Sequence, residues 1–119
     1  MRPTFHLVPE PLWMAADPKT PYRHASLQTE GFIHCTDGRD EVVAVGNRYY
    51  RDDPRPFVIL TVDLDRAGSP WRIEPPGSPY PHIYGPIERG AIVAVERMPR
   101  GADGTFVRWP AEVDQATTR

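Results

Sequence analysis

Several features that are common in secreted, membrane and nucleic-acid-binding proteins are missing from this sequence. It has one cysteine, Cys35, so no disulfide can form within the chain. No apolar stretch approaches the roughly 20 residues of a membrane-spanning helix, and no charged-then-apolar leader opens the chain. We therefore expect a soluble cytoplasmic protein with no membrane partner.

The chain also lacks an excess of positive charge. Its 14 basic and 16 acidic residues give a formal net charge of -2 at pH 7. We expect no strong nucleic-acid binding, because such binding depends on the neutralisation of backbone phosphates. All basic residues except Lys19 are arginine, a residue type suited to bidentate contacts with phosphate or carboxylate. A small-molecule or nucleotide ligand is therefore compatible with the charge.

The usual signatures of metal and phosphate sites are absent as well. The sequence has no H-x-H, no H-x-x-x-H and no paired cysteines, so we predict no metal site. It has neither a G-x-x-x-x-G-K-[ST] loop nor a G-x-G-x-x-G turn. Other groups must hold a nucleotide if one binds, and the sequence assigns no cofactor.

What the sequence does contain predicts a single α+β domain of short elements. Fifteen prolines and nine glycines interrupt its 119 residues. The ordered core is expected at about residues 4–110, followed by a flexible tail at 111–119. A nearly continuous apolar run at 57–64 is typical of a central strand covered on both faces. Further strands are predicted at 5–8, 31–35, 71–74, 81–85, 90–98 and 106–109.

Two helices are predicted beside these strands. The first covers residues 10–16, with Pro11 in its first turn. The main helix is expected to be capped by Thr36 or Asp37 and to extend to Tyr49, because Val42, Val45 and Tyr49 recur at helical spacing. One helix-rich half followed mostly by strands favours an α+β domain over a doubly wound parallel sheet.

Three of the four histidines, His6, His34 and His82, lie in short apolar segments that are predicted to be strands. Burial of a polar ring costs free energy unless a partner compensates. Side chains alternate along a strand, so His34 shares a face with Phe32, and His82 shares one with Tyr84. If these faces converge, three imidazoles and a phenol line one cleft. The alternative is that each ring is a structural residue bonded to the backbone.

Other polar residues are candidates for ligand binding. The hydroxyls of Ser26, Thr36 and Tyr84, and the guanidinium of Arg48 on the main helix, are predicted to contact a ligand. Glu74 flanks the loop that carries His82, and we predict that it orients this imidazole through the second ring nitrogen.

The remaining titratable residues are predicted to be structural. Glu30 and Asp63 are interpreted as turn or cap residues, and His24, in a polar loop, as a surface residue. Cys35 is interpreted as a small core residue rather than an activated thiolate.

The order of these motifs resembles a bacterial family, the domain of unknown function numbered 952. The most specific pieces are EGFIHCT at residues 30–36 and PHIYGPI at residues 81–87. Asn47 and Arg48 on the main helix and Asp103 with Gly104 also fit the pattern. The resemblance extends through nearly the whole chain, roughly Phe5 to Pro110.

This resemblance implies a fold like that of the ADP-ribosyltransferases, whose split sheet of two small curved layers holds NAD in the cleft between them. It implies that His6 contacts the ribose next to nicotinamide, that His34 shapes the nicotinamide pocket and that His82 has a third catalytic role. The expected function is a bacterial enzyme of the transferase type that acts on NAD, as substrate, or on another nucleotide-like molecule.

Cleavage of the bond between nicotinamide and ribose develops positive charge on the sugar, which a carboxylate usually stabilises. No carboxylate of the sequence is assigned to that role. Two alternatives therefore stay open. One is a general acid–base enzyme for an unrelated small metabolite, to which imidazole is well suited. The other is a noncatalytic ligand-binding module.

Overall fold

The computed structural model describes residues 1–109, so the predicted flexible tail at 111–119 lies outside the described residues. The strands are β1 (Pro3–Pro9), β2 (Ile33–His34), β3 (Phe57–Asp63), β4 (Trp71–Ile73), β5 (Pro81–Ile83) and β6 (Ile92–Arg97). The helices are α1 (Glu10–Ala15), α2 (Ser26–Thr29) and α3 (Arg39–Tyr49), and two 3-10 turns lie at Leu64–Arg66 and Arg89–Ala91. This is the predicted α+β class, with α3 as its one main helix.

The strands form two three-stranded antiparallel sheets. Their orders are β1-β3-β6 and β2-β5-β4. An isolated bridge connects the sheets, where Phe5 N–H donates to the carbonyl of Thr36 at 3.0 Å and Thr36 N–H donates to the carbonyl of Phe5 at 2.7 Å. This bridge holds the end of β2 against β1.

β3 is covered on both of its faces, as its apolar sequence predicts. Val58, Leu60 and Val62 face the second sheet and pack in one hydrophobic cluster with Ile33 and Ile83. The alternate residues of β3 belong to a second cluster on the opposite face, which also contains residues of α3 and of the segment after β6: Phe57, Ile59, Val42, Met98, Phe106 and Trp109. Alternation along a strand therefore divides the core into two layers.

Two glycines permit the start and the close packing of α3. Gly38, directly before the helix, has φ +91°, a conformation that an L side chain rarely adopts. Gly46 faces the core, and a Cβ there would lie 3.0 Å from Cδ2 of Phe106. The helix therefore packs closely against the segment around Phe106.

Several predicted element boundaries differ from the structure. Neither Thr36 nor Asp37 caps α3, because the Asp37 carboxylate pairs with the guanidinium of Arg2 at 2.7 Å. The predicted strand at 31–35 shrinks to two residues, since α2 ends just before Gly31, whose φ is +89°. The strand at 90–98 begins only at Ile92, after a 3-10 turn. Residues 106–109 form no strand, and Phe106 makes one isolated bridge with Arg100.

Candidate functional site

A cavity of about 540 Å³ lies where α2, the β2–β5 pair and the end of α3 meet. This volume is in the range of small-molecule sites. The residues that line it come from four segments of the chain: His24, Ser26, Glu30, His34, Cys35, Thr36, Val45, Tyr49, Tyr50, Tyr80 and His82. Four predicted site residues are therefore brought together: Ser26, His34, Thr36 and His82.

His34 and His82 are direct cross-strand partners in the antiparallel β2–β5 pair. Opposed residues of such a pair project from the same face of the sheet, and the two ring centroids are 5.2 Å apart. The ring of Phe32 stacks on His82 at 4.0 Å with an interplanar angle of 14°, and its centroid is 4.8 Å from that of His34. The pairing register and this aromatic contact fix the relative position of the imidazoles.

Each of these imidazoles is bonded to a carboxylate. His34 Nε2 donates to Glu30 Oε1 at 2.8 Å, and His82 Nδ1 donates to Glu74 Oε1 at 3.0 Å. A carboxylate only accepts, so these nitrogens carry the ring protons. The opposite nitrogens, His34 Nδ1 and His82 Nε2, have no hydrogen-bond partner among residues 1–109. Both rings therefore keep one nitrogen for a ligand.

The predicted orientation of His82 by Glu74 is confirmed. The phenol of Tyr84 donates a very short hydrogen bond to the same carboxylate oxygen. The hydrogen bonds from Tyr84 and then from His82 lower the pKa of Glu74. The sequence predicts that Glu74 and Tyr84 contact a ligand, but neither is among the residues that line the cavity, and Glu74 reaches it through His82.

His24 is not the surface residue that the sequence predicts. It is partly buried and lines the cavity, and burial is the main reason that its pKa is lowered. Its Nδ1 accepts from the Ser26 N–H at 3.1 Å, so this nitrogen carries no proton, and Ser26 Oγ, at 2.9 Å, must donate to it as well. Three imidazoles therefore line the cavity, and the third belongs to His24 rather than to His6.

His6 does not line the cavity, although the sequence predicts it there. Its ring is buried, with Nδ1 donating to the carbonyl of His34 at 2.8 Å and Nε2 accepting from the hydroxyl of Tyr22 at 3.0 Å. Burial is the main cause that lowers its pKa to about 3. With both nitrogens occupied, His6 supports the backbone of β2 from behind the cavity.

Three tyrosines also line the cavity. Tyr49 and Tyr50 come from the end of α3, and Tyr80 comes from the loop before β5. The Tyr80 hydroxyl donates to Glu41 Oε2 at 2.5 Å and accepts from Arg48 Nη1 at 3.4 Å. Arg48 is exposed and does not line the cavity, so it lies at the rim rather than inside.

Two neighbours on the floor of the cavity differ in reactivity. Cys35 is buried, and desolvation raises the pKa of its thiol, which makes it an inert core residue as predicted. Thr36 is also buried, but its hydroxyl has no hydrogen-bond partner among residues 1–109. Thr36 is therefore the hydroxyl of this floor that a ligand can bond.

Glu30 is the functional candidate that sequence reasoning missed. The sequence predicts a turn or cap residue, and Glu30 does cap the C-terminal end of α2, but it also lines the cavity and bonds His34. A sequence signal existed, since Glu30 precedes His34 by four residues in EGFIH. The tyrosines gave no such signal, because their positions depend on how the end of α3 and the loop before β5 pack.

The described part of the chain has neither a metal-binding cluster of side chains nor a membrane-spanning helix. No group of three or more histidine, cysteine, aspartate or glutamate side chains within residues 1–109 is arranged to hold a metal ion. No helix in that range has the length and apolar character needed to cross a membrane.

Solved structures of one other protein share this fold. Two crystal structures of protein CC0527 from Caulobacter crescentus, one of them a double mutant, superpose with a TM-score of 0.70 at 20% sequence identity, over 88% of this chain and 93% of that one. The solution NMR structure of CC0527 gives a TM-score of 0.65 at 20% identity, over 87% of this chain and 90% of that one.

The sequence comparisons add a family. No curated protein matches the chain. The family model described as "Protein of unknown function (DUF952)" matches residues 7–95, which contain both imidazole–carboxylate pairs. The chain therefore belongs to the DUF952 family.

Proposed function

We propose that the protein is an enzyme that acts on NAD or another nucleotide-like small molecule in the cavity. One observation carries the proposal: a single cavity combines an aromatic wall of three tyrosines with two imidazoles that are each bonded to a carboxylate. Aromatic rings stack on nucleobases or on a nicotinamide ring. Imidazoles with one open nitrogen are suited to proton transfer or to contacts with a sugar.

The ligand is expected to enter with its ring between the tyrosines and the imidazoles. The hydroxyl of Thr36 then meets the ribose. Arg48, which is hydrogen-bonded to Tyr80, can contact a phosphate that extends towards solvent.

We also propose that the domain has an ADP-ribosyltransferase-like fold and that the cavity works by a mechanism of that type. Two three-stranded antiparallel sheets joined by one bridge support it, since they resemble the split sheet expected from the sequence. Glu30 supplies the cavity-lining carboxylate that the sequence reasoning did not find. A carboxylate there would stabilise positive charge on a ribose that loses nicotinamide.

The first test measures the melting temperature with NAD, ADP-ribose, AMP and nicotinamide. A ligand at 100 times its Kd stabilises a protein by about 2.7 kcal/mol, so we expect Tm to rise by several degrees. His34→Ala should abolish the rise. Glu96→Gln on β6, outside the lining residues, should keep it.

Turnover decides between the remaining alternatives. Release of nicotinamide from NAD, followed by chromatography, would support the transferase-type reaction. A Tm rise without any turnover would favour a noncatalytic binding module. No rise with any nucleotide, together with turnover of another small metabolite that depends on His34 and His82, would favour the general acid–base alternative. A folded His34→Ala variant with an unchanged nucleotide response would contradict the proposed site.

A further inference from the structure

The imidazoles of His34 and His82 differ in their surroundings. The side chain of His34 is 53% exposed, whereas that of His82 is 15% exposed and lies against Phe32. Their open nitrogens, Nδ1 of His34 and Nε2 of His82, belong to rings only 5.2 Å apart. A reaction that takes a proton from water and gives one to a leaving group needs two such groups in one site.

We propose that the cavity hydrolyses a nucleoside 2′,3′-cyclic phosphodiester, with His34 as general base and His82 as general acid. This inference rests on the proposed function, because it takes the cavity as a nucleotide site. It goes further by naming the substrate class, the bond that breaks and the role of each ring.

The proposed step is balanced with water as the only co-reactant. His34 Nδ1 removes a proton from water while the water oxygen forms a bond to phosphorus. The bond between phosphorus and the ribose 2′ oxygen breaks, and the proton on His82 Nε2 passes to that oxygen. The product is a nucleoside 3′-phosphate, and proton exchange with solvent returns both rings to their starting states.

The charge of the cavity favours a phosphodiester over a phosphomonoester. No arginine or lysine is among the lining residues, and Glu30 adds a negative charge. A cyclic phosphodiester carries one negative charge, which a single imidazolium balances, whereas a monoester carries about two near neutral pH. The unpartnered hydroxyl of Thr36, two residues after His34, is placed to donate to a non-bridging oxygen.

The assignment of acid and base follows from the difference in exposure, because both rings are bonded to a carboxylate. The exposed ring of His34 meets water and suits the base. The ring of His82 is shielded and lies against Phe32, so it suits the side of the leaving group. Glu30 and Glu74 are positioning residues in this scheme.

The test uses the full chain with adenosine 2′,3′-cyclic phosphate and follows the product by ³¹P NMR. We expect formation of the 3′-phosphate. His34→Ala and His82→Ala should each lower kcat/KM by about 100-fold or more, with unchanged circular dichroism. Glu96→Gln should have wild-type activity. Wild-type activity in either folded histidine variant would overturn the inference.

A second substrate separates the two roles. A nucleoside 3′-(p-nitrophenyl) phosphodiester has a leaving phenolate that needs no proton. His82→Ala should therefore recover most of its activity on this substrate, whereas His34→Ala should stay inactive and regain activity when imidazole is added. The reverse pattern, or an equal loss in both variants, would overturn the assignment of acid and base.

Ligand binding measured on the same samples distinguishes this inference from the proposed function. A nucleotide-dependent rise in Tm without hydrolysis of any cyclic phosphodiester would overturn the inference and leave the proposed function in place. Absence of both hydrolysis and a nucleotide-dependent Tm rise would overturn both.

Discussion

His6 and His34 show at the scale of single residues how the neighbours of an imidazole determine what it can do. The ring of His6 is buried and both of its nitrogens are hydrogen-bonded within the protein. The ring of His34 is half exposed and has one nitrogen bonded to Glu30. The first ring is therefore a structural element, and the second is open to a ligand.

The burial of His6 makes stability depend on pH. The folded protein holds its pKa near 3, below the ordinary 6.5, so the unfolded chain takes up a proton as the pH falls through 6.5 while the folded protein does not. The free energy of unfolding must then decrease on acidification. From pH 7 to pH 5 we expect a loss of about 2 kcal/mol from this residue, measured by urea denaturation.

The control for that measurement is His6→Asn, whose amide can still donate to the carbonyl of His34. This variant should be less stable at pH 7, because the hydroxyl of Tyr22 loses its acceptor, at a cost of about 1–3 kcal/mol. Its loss of stability between pH 7 and pH 5 should be smaller than that of the wild type by about 2 kcal/mol. Equal pH dependence in both proteins would contradict the role of His6.

Residue chemistry also explains which site residues were predictable. His34 and His82 stand out because polar rings in apolar strands need a compensating partner. His24 was assigned to the surface because its sequence neighbours are polar, although its burial comes from the fold around the cavity. The polarity of adjacent residues in the sequence is a poor guide to the exposure of a loop side chain that is buried by tertiary contacts.

At the scale of elements, one side chain of α3 is hydrogen-bonded to the backbone of the segment after β6. The amide of Asn47 donates to the carbonyl of Phe106 at 3.0 Å and accepts from the N–H of Phe106 at 2.8 Å. Asn47 therefore satisfies the backbone polar groups of Phe106, as a neighbouring strand would. This replaces the strand pairing that the sequence predicts for residues 106–109.

Removal of the hydrogen bonds between Asn47 and Phe106 should lower the stability of the protein. Asn47→Ala leaves two backbone groups without partners, and we expect the free energy of unfolding to fall by about 1–3 kcal/mol. Arg48→Ala, at the adjacent and exposed position, should change it by less than about 0.5 kcal/mol. Denaturation followed by tryptophan fluorescence measures both values. A loss in Asn47→Ala no larger than that in Arg48→Ala would show that the amide does not anchor Phe106.

At the scale of the whole molecule, the two sheets differ in how firmly they are held. β3 has seven residues, is paired on both sides and is buried on both faces. β5, the centre of the second sheet, has three residues, and β2 has two. The second sheet carries the imidazoles, so the candidate site lies on the less extensively paired half of the protein.

Hydrogen exchange should reveal this difference. Local opening costs less free energy where few paired residues must separate. We expect the amides of β3 to exchange with the slowest rates, close to the rate set by global unfolding, and those of β2 and β5 to exchange faster through partial opening. NMR measurement at a fixed pH, corrected for intrinsic rates, gives the comparison. Equal protection of β3 and β5 would show that both sheets open only together.

Most of the local elements could be predicted from the sequence. The apolar run of β3, the helical spacing of Val42 and Val45 and the many prolines predict a small α+β domain, because each signal depends on consecutive residues. The cross-strand pairing of His34 with His82, the entry of Glu30 and His24 into the cavity and the withdrawal of His6 were decided only by the tertiary structure. Those positions depend on strand register and on packing between distant segments, which local periodicity does not specify.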